Sequence, residues 1–92
     1  MNLQEIRQQI DAVDMELVRL FRQRMALSAQ VADYKKANDL PIYVPSREQE
    51  ILRKVAELAG SEWEDSIQTL YSTIFSLSRD FQNKRNQNAE VV

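Results

Sequence analysis

A chain of 92 residues with neither histidine nor cysteine offers no disulfide, no thiolate or imidazole nucleophile, no Ser-His-Asp triad and none of the usual zinc ligands. Its formal charge of -2, with basic residues spread among acidic ones, creates no field that would draw in nucleic acid. One glycine and two prolines, in a chain otherwise rich in Ala, Leu, Gln, Glu, Arg and Lys, favour long helices over a sheet, and the length corresponds to one domain, residues 1–92.

The opening Met1-Asn2-Leu3-Gln4-Glu5 has no apolar signal core, and no stretch approaches the ~18 apolar residues of a membrane span, so a soluble cytoplasmic protein is expected. From Leu3, apolar residues fall at Ile6, Ile10, Val13, Leu17 and Leu20, then at Leu27 and Val31. These steps of three and four are those of a packed helical seam, and no Gly or Pro interrupts them before Pro41. The spacing predicts a helix over residues 3 to 38, about 54 Å long. A compact chain of this size is only about 30 Å across. Its own chain cannot cover such a helix, and a second copy can, so an intertwined homodimer is expected.

The segment Asn38-Asp39-Leu40-Pro41-Ile42-Tyr43-Val44-Pro45 holds both prolines and reads as the first connection. A short second helix over 46–59 is expected next, with Ser46 and Gln49 as a capping box, Ile51, Leu52, Val55 and Leu58 buried, and Gly60 as its stop. Ser61 and Glu64 repeat the box, and Ile67, Leu70, Ile74, Leu77 and Phe81 predict a third, medium-length helix to about residue 85. The tail from Asn86 to Val92 should fray. The expected class is all-α, with one long, one short and one medium helix.

Some polar residues break these patterns. Arg24 stands where the seam calls for an apolar side chain. Lys35, 11 positions later, lies about 20° around the helix and about 16 Å along it, so the pair can grip a small anion. An arbitrary Lys more often snorkels to the surface, an Arg that interrupts a core seam less so. Arg7 precedes Arg24 by 17 positions, about 25 Å along the axis and roughly 100° around it. One helix cannot bring both to one small ligand, but an antiparallel partner can present its own Arg7. Ser78 and Gln82, four apart, form a polar patch beside the third seam. Arg47 and Glu48 begin the second helix, where Glu48 also suits the positive dipole end.

Together, Ile6-Arg7-Gln8-Gln9-Ile10-Asp11-Ala12-Val13-Asp14, Arg24, Val31-Ala32-Asp33-Tyr34-Lys35 and Pro45-Ser46-Arg47-Glu48 resemble the all-helical, AroQ-type chorismate mutases over nearly the whole chain. The resemblance implies rearrangement of chorismate to prephenate for aromatic amino-acid biosynthesis. It implies Arg7 donated across a homodimer, with Arg24 and Arg47 as further cationic contacts for the two substrate carboxylates. Lys35 and Gln82 would address the ether oxygen, with Arg24, Lys35 and Gln82 the catalytic set, while Glu48 would hold the substrate hydroxyl and Ser78 a carboxylate. Many relatives carry Asp where this chain has Val44, so any side-chain contact from that substrate-binding position is absent here, while a contact made by the backbone would be unaffected.

A [3,3] rearrangement needs no nucleophile, metal, cofactor or proton transfer. It needs a restrained conformer and donors for the charge growing on the ether oxygen. Gln82 is a neutral donor, so activity should stay flat through neutral pH, and a steep fall in turnover between about pH 6 and 8 would count against its role. Two alternatives are an isochorismate-pyruvate lyase of the same fold, whose elimination is chemically close, and a non-catalytic helical dimerisation or regulatory module. Activity and dimer should disappear together on dilution.

Overall fold

The computed structural model describes residues 1–91, with side chains to Gln87, as three helices and no strand: α1 Leu3–Ala37, α2 Pro45–Ala59 and α3 Glu64–Val91. Asn2 caps α1, its Oδ1 accepting from the Glu5 backbone N–H at 2.9 Å, and Lys35 and Lys36 occupy the last turn, where cations suit the helix dipole. Beyond Ala37, the Asn38 side chain donates to the Tyr34 carbonyl, and Asp39 takes a left-handed φ of 55°, a conformation that Asp tolerates better than most residues.

The second helix starts differently from its expected form. Pro45 fills the first turn, where its missing N–H costs nothing, and Val44 is the cap residue with no side-chain bond, so Ser46 does not cap. The Val44 carbonyl instead accepts from Arg47 and Glu48. At the far end Gly60 has φ 84° with open space around it, so its torsion alone favours glycine. Ser61 does not cap α3 either. A turn closed by the Trp63 N–H on the Gly60 carbonyl precedes Glu64, which begins the helix. The third helix then runs past residue 85 to Val91, so the segment expected to fray is helical as far as the structure describes it, and Val92 lies outside the described residues.

Helix α3 packs against both α1 and α2, which do not pack on each other. The apolar core is small: Ala32 and Phe75 are its buried members, flanked by half-buried Ile51, Leu52, Val55, Ile67, Ile74 and Phe81. Leu58 is 77% exposed, against expectation. Leu70 and Leu77 also face outwards and continue, at steps of seven, a stripe from exposed Trp63. All residues from Leu3 to Gln23 are exposed, and the seam side chains Leu3, Ile6, Ile10, Val13, Leu17 and Leu20 are 42–59% open.

The end of α1 is tied to α3 by polar contacts. Arg85 Nε and Nη2 donate to Asp33 Oδ1 and Oδ2 at 2.8 and 3.0 Å, and Asn86 Nδ2 donates to the Ala32 carbonyl at 3.4 Å. The hydrogen bond from Arg85 holds the Asp33 carboxyl below its ordinary 3.8. A depressed carboxyl stabilises the fold above its unfolded pKa, and that contribution is lost as pH falls through the folded value. Arg85→Ala should therefore lower the melting midpoint at pH 7 by about 2 °C, since an exposed pair contributes little. Thermal melts of both proteins should converge once pH falls below the depressed folded value of the Asp33 carboxyl, where the pair is lost in both.

Candidate active site

A cleft of about 330 Å³ opens where the C-terminal half of α1, the 38–44 connection, the start of α2 and the middle of α3 meet. Small-molecule sites start near that size, at about 300 Å³. From α1 come Arg24, Leu27, Ser28, Val31 and Lys35; from the connection Ile42 and Val44; from α2 Arg47, Glu48 and Ile51; from α3 Phe75, Ser78, Arg79 and Gln82. Seven of the eight residues named from sequence thus line one cavity. The eighth, Arg7, lies on the exposed N-terminal half of α1, outside it.

Arg24 interrupts the seam without leaving it. Its guanidinium carbon lies 5.7 Å from the ring centres of both Tyr71 and Phe75, so aromatic faces, rather than a carboxylate, accommodate the half-buried cation. Lys35 Nζ donates to the Ile42 carbonyl at 2.8 Å, which orients the ammonium and fastens the connection to α1. Two of its three N–H bonds are left by that contact for other acceptors. Arg47 pairs with Glu50 at 3.2 Å in an exposed bridge of the kind that is readily exchanged.

Deeper in the cleft, Ser28, Ser78 and Gln82 are buried and joined in a chain, with 2.9 Å between the two hydroxyl oxygens and 3.0 Å from Gln82 Nε2 to Ser78 Oγ. Gln82 Oε1 is buried and has no hydrogen-bond partner among the described residues. Such an orphan costs free energy, about 1–3 kcal/mol, which a site recovers only when a ligand or a turn of the amide satisfies it.

Two polar lining residues were missed in the sequence, Ser28 and Arg79. Ser28 is four positions after Arg24 and seven before Lys35, so helical spacing alone sets it on their face. Arg79 follows Phe75 by four and precedes Gln82 by three, the same signal on α3. Both carboxylate oxygens of Glu48 accept from Arg79 Nη1, and this contact raises the Arg79 guanidinium above its ordinary value. The guanidinium also lies 4.8 Å from the Tyr43 ring centre. Around the cavity Arg24, Lys35, Arg47 and Arg79 face one carboxylate, Glu48. Such a lining suits a small ligand carrying more than one negative charge. No group of three or more acidic side chains capable of holding a metal occurs among the described residues.

The family model for chorismate mutase type II matches residues 6–83, and the chain belongs to that family. It is 41% identical over 56 residues to a bifunctional chorismate mutase/prephenate dehydratase of Aquifex aeolicus, a match covering 61% of this chain and 16% of that protein. It is 44% identical over 61 residues to the T-protein of Haemophilus influenzae, covering 63% of this chain and again 16% of the relative. A chorismate mutase of Methanocaldococcus jannaschii is 36% identical over 56 residues, 61% of this chain and 57% of that one. The matches thus span well under a fifth of the two longer curated relatives. No solved structure gives a significant match.

Proposed function

We propose that this chain rearranges chorismate to prephenate, in two equivalent sites of a homodimer. The observation that carries the reading is the cleft in which four cations surround one carboxylate and a buried amide, in a chain of the chorismate mutase type II family. Chorismate is a dianion with one ring hydroxyl and one ether link, and each has a chemically matched group here.

Arg24, Arg47 and Arg7 of a second copy take the two carboxylates, with Ser78 donating to one of them. Glu48 accepts from the hydroxyl. Lys35 and Gln82 donate to the ether oxygen as its bond to carbon breaks and the new carbon–carbon bond forms at the other end of the enolpyruvyl arm. Charge accumulates on that oxygen in the transition state, so donors fixed there lower the barrier without any proton transfer. Half a turn of the Gln82 amide lets Oε1 accept from the Ser78 hydroxyl and puts the NH2 group at the position that now lacks a partner, ready for the ligand. Because a carboxamide does not titrate, turnover stays constant within about twofold from pH 6 to 8. A pH–rate profile checks this, and a steep fall across neutrality would contradict it.

The dimer is supported by the exposed seam on α1 and the Trp63, Leu70 and Leu77 stripe on α3, which a single chain leaves in water. A continuous apolar face of this length is more than a monomeric surface ordinarily carries. Val44 contributes through its backbone, since its carbonyl holds the first turn of α2 that presents Arg47 and Glu48. The test is product identification with chorismate and with isochorismate supplied separately. Prephenate from chorismate supports the reading; pyruvate released from isochorismate, with chorismate untouched, would mark a lyase instead.

A further inference from the structure

Glu48 is the one carboxylate in a cleft whose other charged lining residues are cations, and that raises a difficulty. A lone carboxylate beside Arg24, Lys35 and Arg47 would be drawn to them, and would neutralise the charges a dianionic substrate needs. Arg79 removes the difficulty. It takes both oxygens of Glu48 from the α3 side, while its guanidinium lies over the Tyr43 ring on the connection. The two side chains are only 32% and 21% exposed, so the pair is less screened than the bridges on the outer surface. Each carboxylate oxygen still has a lone pair to offer a second donor. Arg79 therefore ties three elements together: its own helix, the first turn of α2 through Glu48, and the 38–44 connection through Tyr43, beside the carbonyl that Lys35 also holds.

We propose that Arg79 is a positioning residue for Glu48, fixing the carboxylate so that it accepts from the substrate hydroxyl and stays off the cations that bind the substrate. This rests on the chorismate mutase reading of the same cleft. The hydroxyl takes no part in the bond changes, so its contact is equally strong in ground and transition states and is expressed in KM more than in kcat.

The experiment is a double-mutant cycle of Arg79→Gln and Glu48→Gln, with Arg79→Lys as the conservative variant, following prephenate formation and thermal melting. Arg79→Gln should lower kcat/KM about 10- to 100-fold, mostly through KM, as loss of a charge-assisted contact does. Arg79→Lys should recover part of that loss, and it carries the same cycle should Arg79→Gln not fold. In the Glu48→Gln background the Arg79 change should cost less than about twofold, because the residue it orients is already altered. Equal costs in both backgrounds would overturn the proposal by making Arg79 an independent substrate contact. An unchanged KM with a lowered melting midpoint would overturn it by making the pair a strut between α2 and α3. A wild type that forms no prephenate overturns the functional reading as well, whereas an active wild type insensitive to Arg79 overturns this proposal alone.

Discussion

Lys35→Ala should lower turnover of chorismate by about two to three orders of magnitude, the usual cost of removing one donor from a developing oxyanion. The effect is large because the ammonium is held in place before substrate arrives, through its bond to the Ile42 carbonyl. Reorienting a free lysine during the reaction would cost part of what the contact contributes. Most of the loss should appear in kcat, since the ether oxygen carries far less charge in the substrate than in the transition state. Steady-state kinetics, with circular dichroism and sedimentation to show an intact helical dimer, measures it. The α1 backbone bonds at this position do not depend on the side chain, and Lys35 lies outside the exposed N-terminal seam. A Lys35→Ala protein with undiminished turnover would refute the role.

Arg7→Ala should lower kcat/KM by about 100- to 1,000-fold, although Arg7 is distant from the cleft in its own chain. A guanidinium binding a carboxylate in a closed site contributes charge-assisted hydrogen bonds, and its loss leaves a substrate anion buried without its partner. Arg7 is exposed on α1, so its truncation should leave the fold intact. The melting midpoint should shift by less than about 3 °C, as surface changes do. Kinetics and melting curves of the variant test both halves of this expectation, and an Arg7→Ala enzyme with normal kcat/KM would place all the substrate cations within one chain.

Helix positions were legible because periodicity and the few Gly and Pro residues are strong local signals. The long α1 is expected over 3 to 38 and found over Leu3–Ala37, and Gly60 ends α2 as its torsion requires. Caps were less legible. The capping-box pattern at Ser46 loses to Pro45, whose ring favours the first helical position, and the box at Ser61 loses to a turn ending at Trp63. Burial was legible only where a seam meets another part of the same chain. Leu58, Leu70 and Leu77 have the right period, but α3 covers only one side of α2 and is itself covered on two, so these side chains remain open.

The candidate site was read from residues that disturb a pattern, and this explains both what was found and what was missed. Arg24 stands out because it replaces an apolar residue, and the rings of Tyr71 and Phe75 show how the seam accommodates it. Ser28 is small enough to pass within a helical seam, and Arg79 lies between Ser78 and Asp80 in a polar stretch, so neither disturbs anything. Their significance appears only when α1, α2 and α3 meet. The pairing of Arg79 with Glu48 crosses 31 positions of chain, which no helical spacing encodes.

The claim that each site is shared between two copies is tested most directly by mixing Arg7→Ala with Lys35→Ala, each nearly inactive alone. A mixed dimer has one site that pairs the intact Lys35 of one copy with the intact Arg7 of the other, and one site that lacks both. With random exchange about half of the dimers are mixed, so activity should rise to about a quarter of that of the unaltered protein. Native mass spectrometry establishes that mixed dimers have formed. Recovery near that level is the predicted result; mixed dimers with no activity beyond that of the separate variants would contradict a site built from two chains.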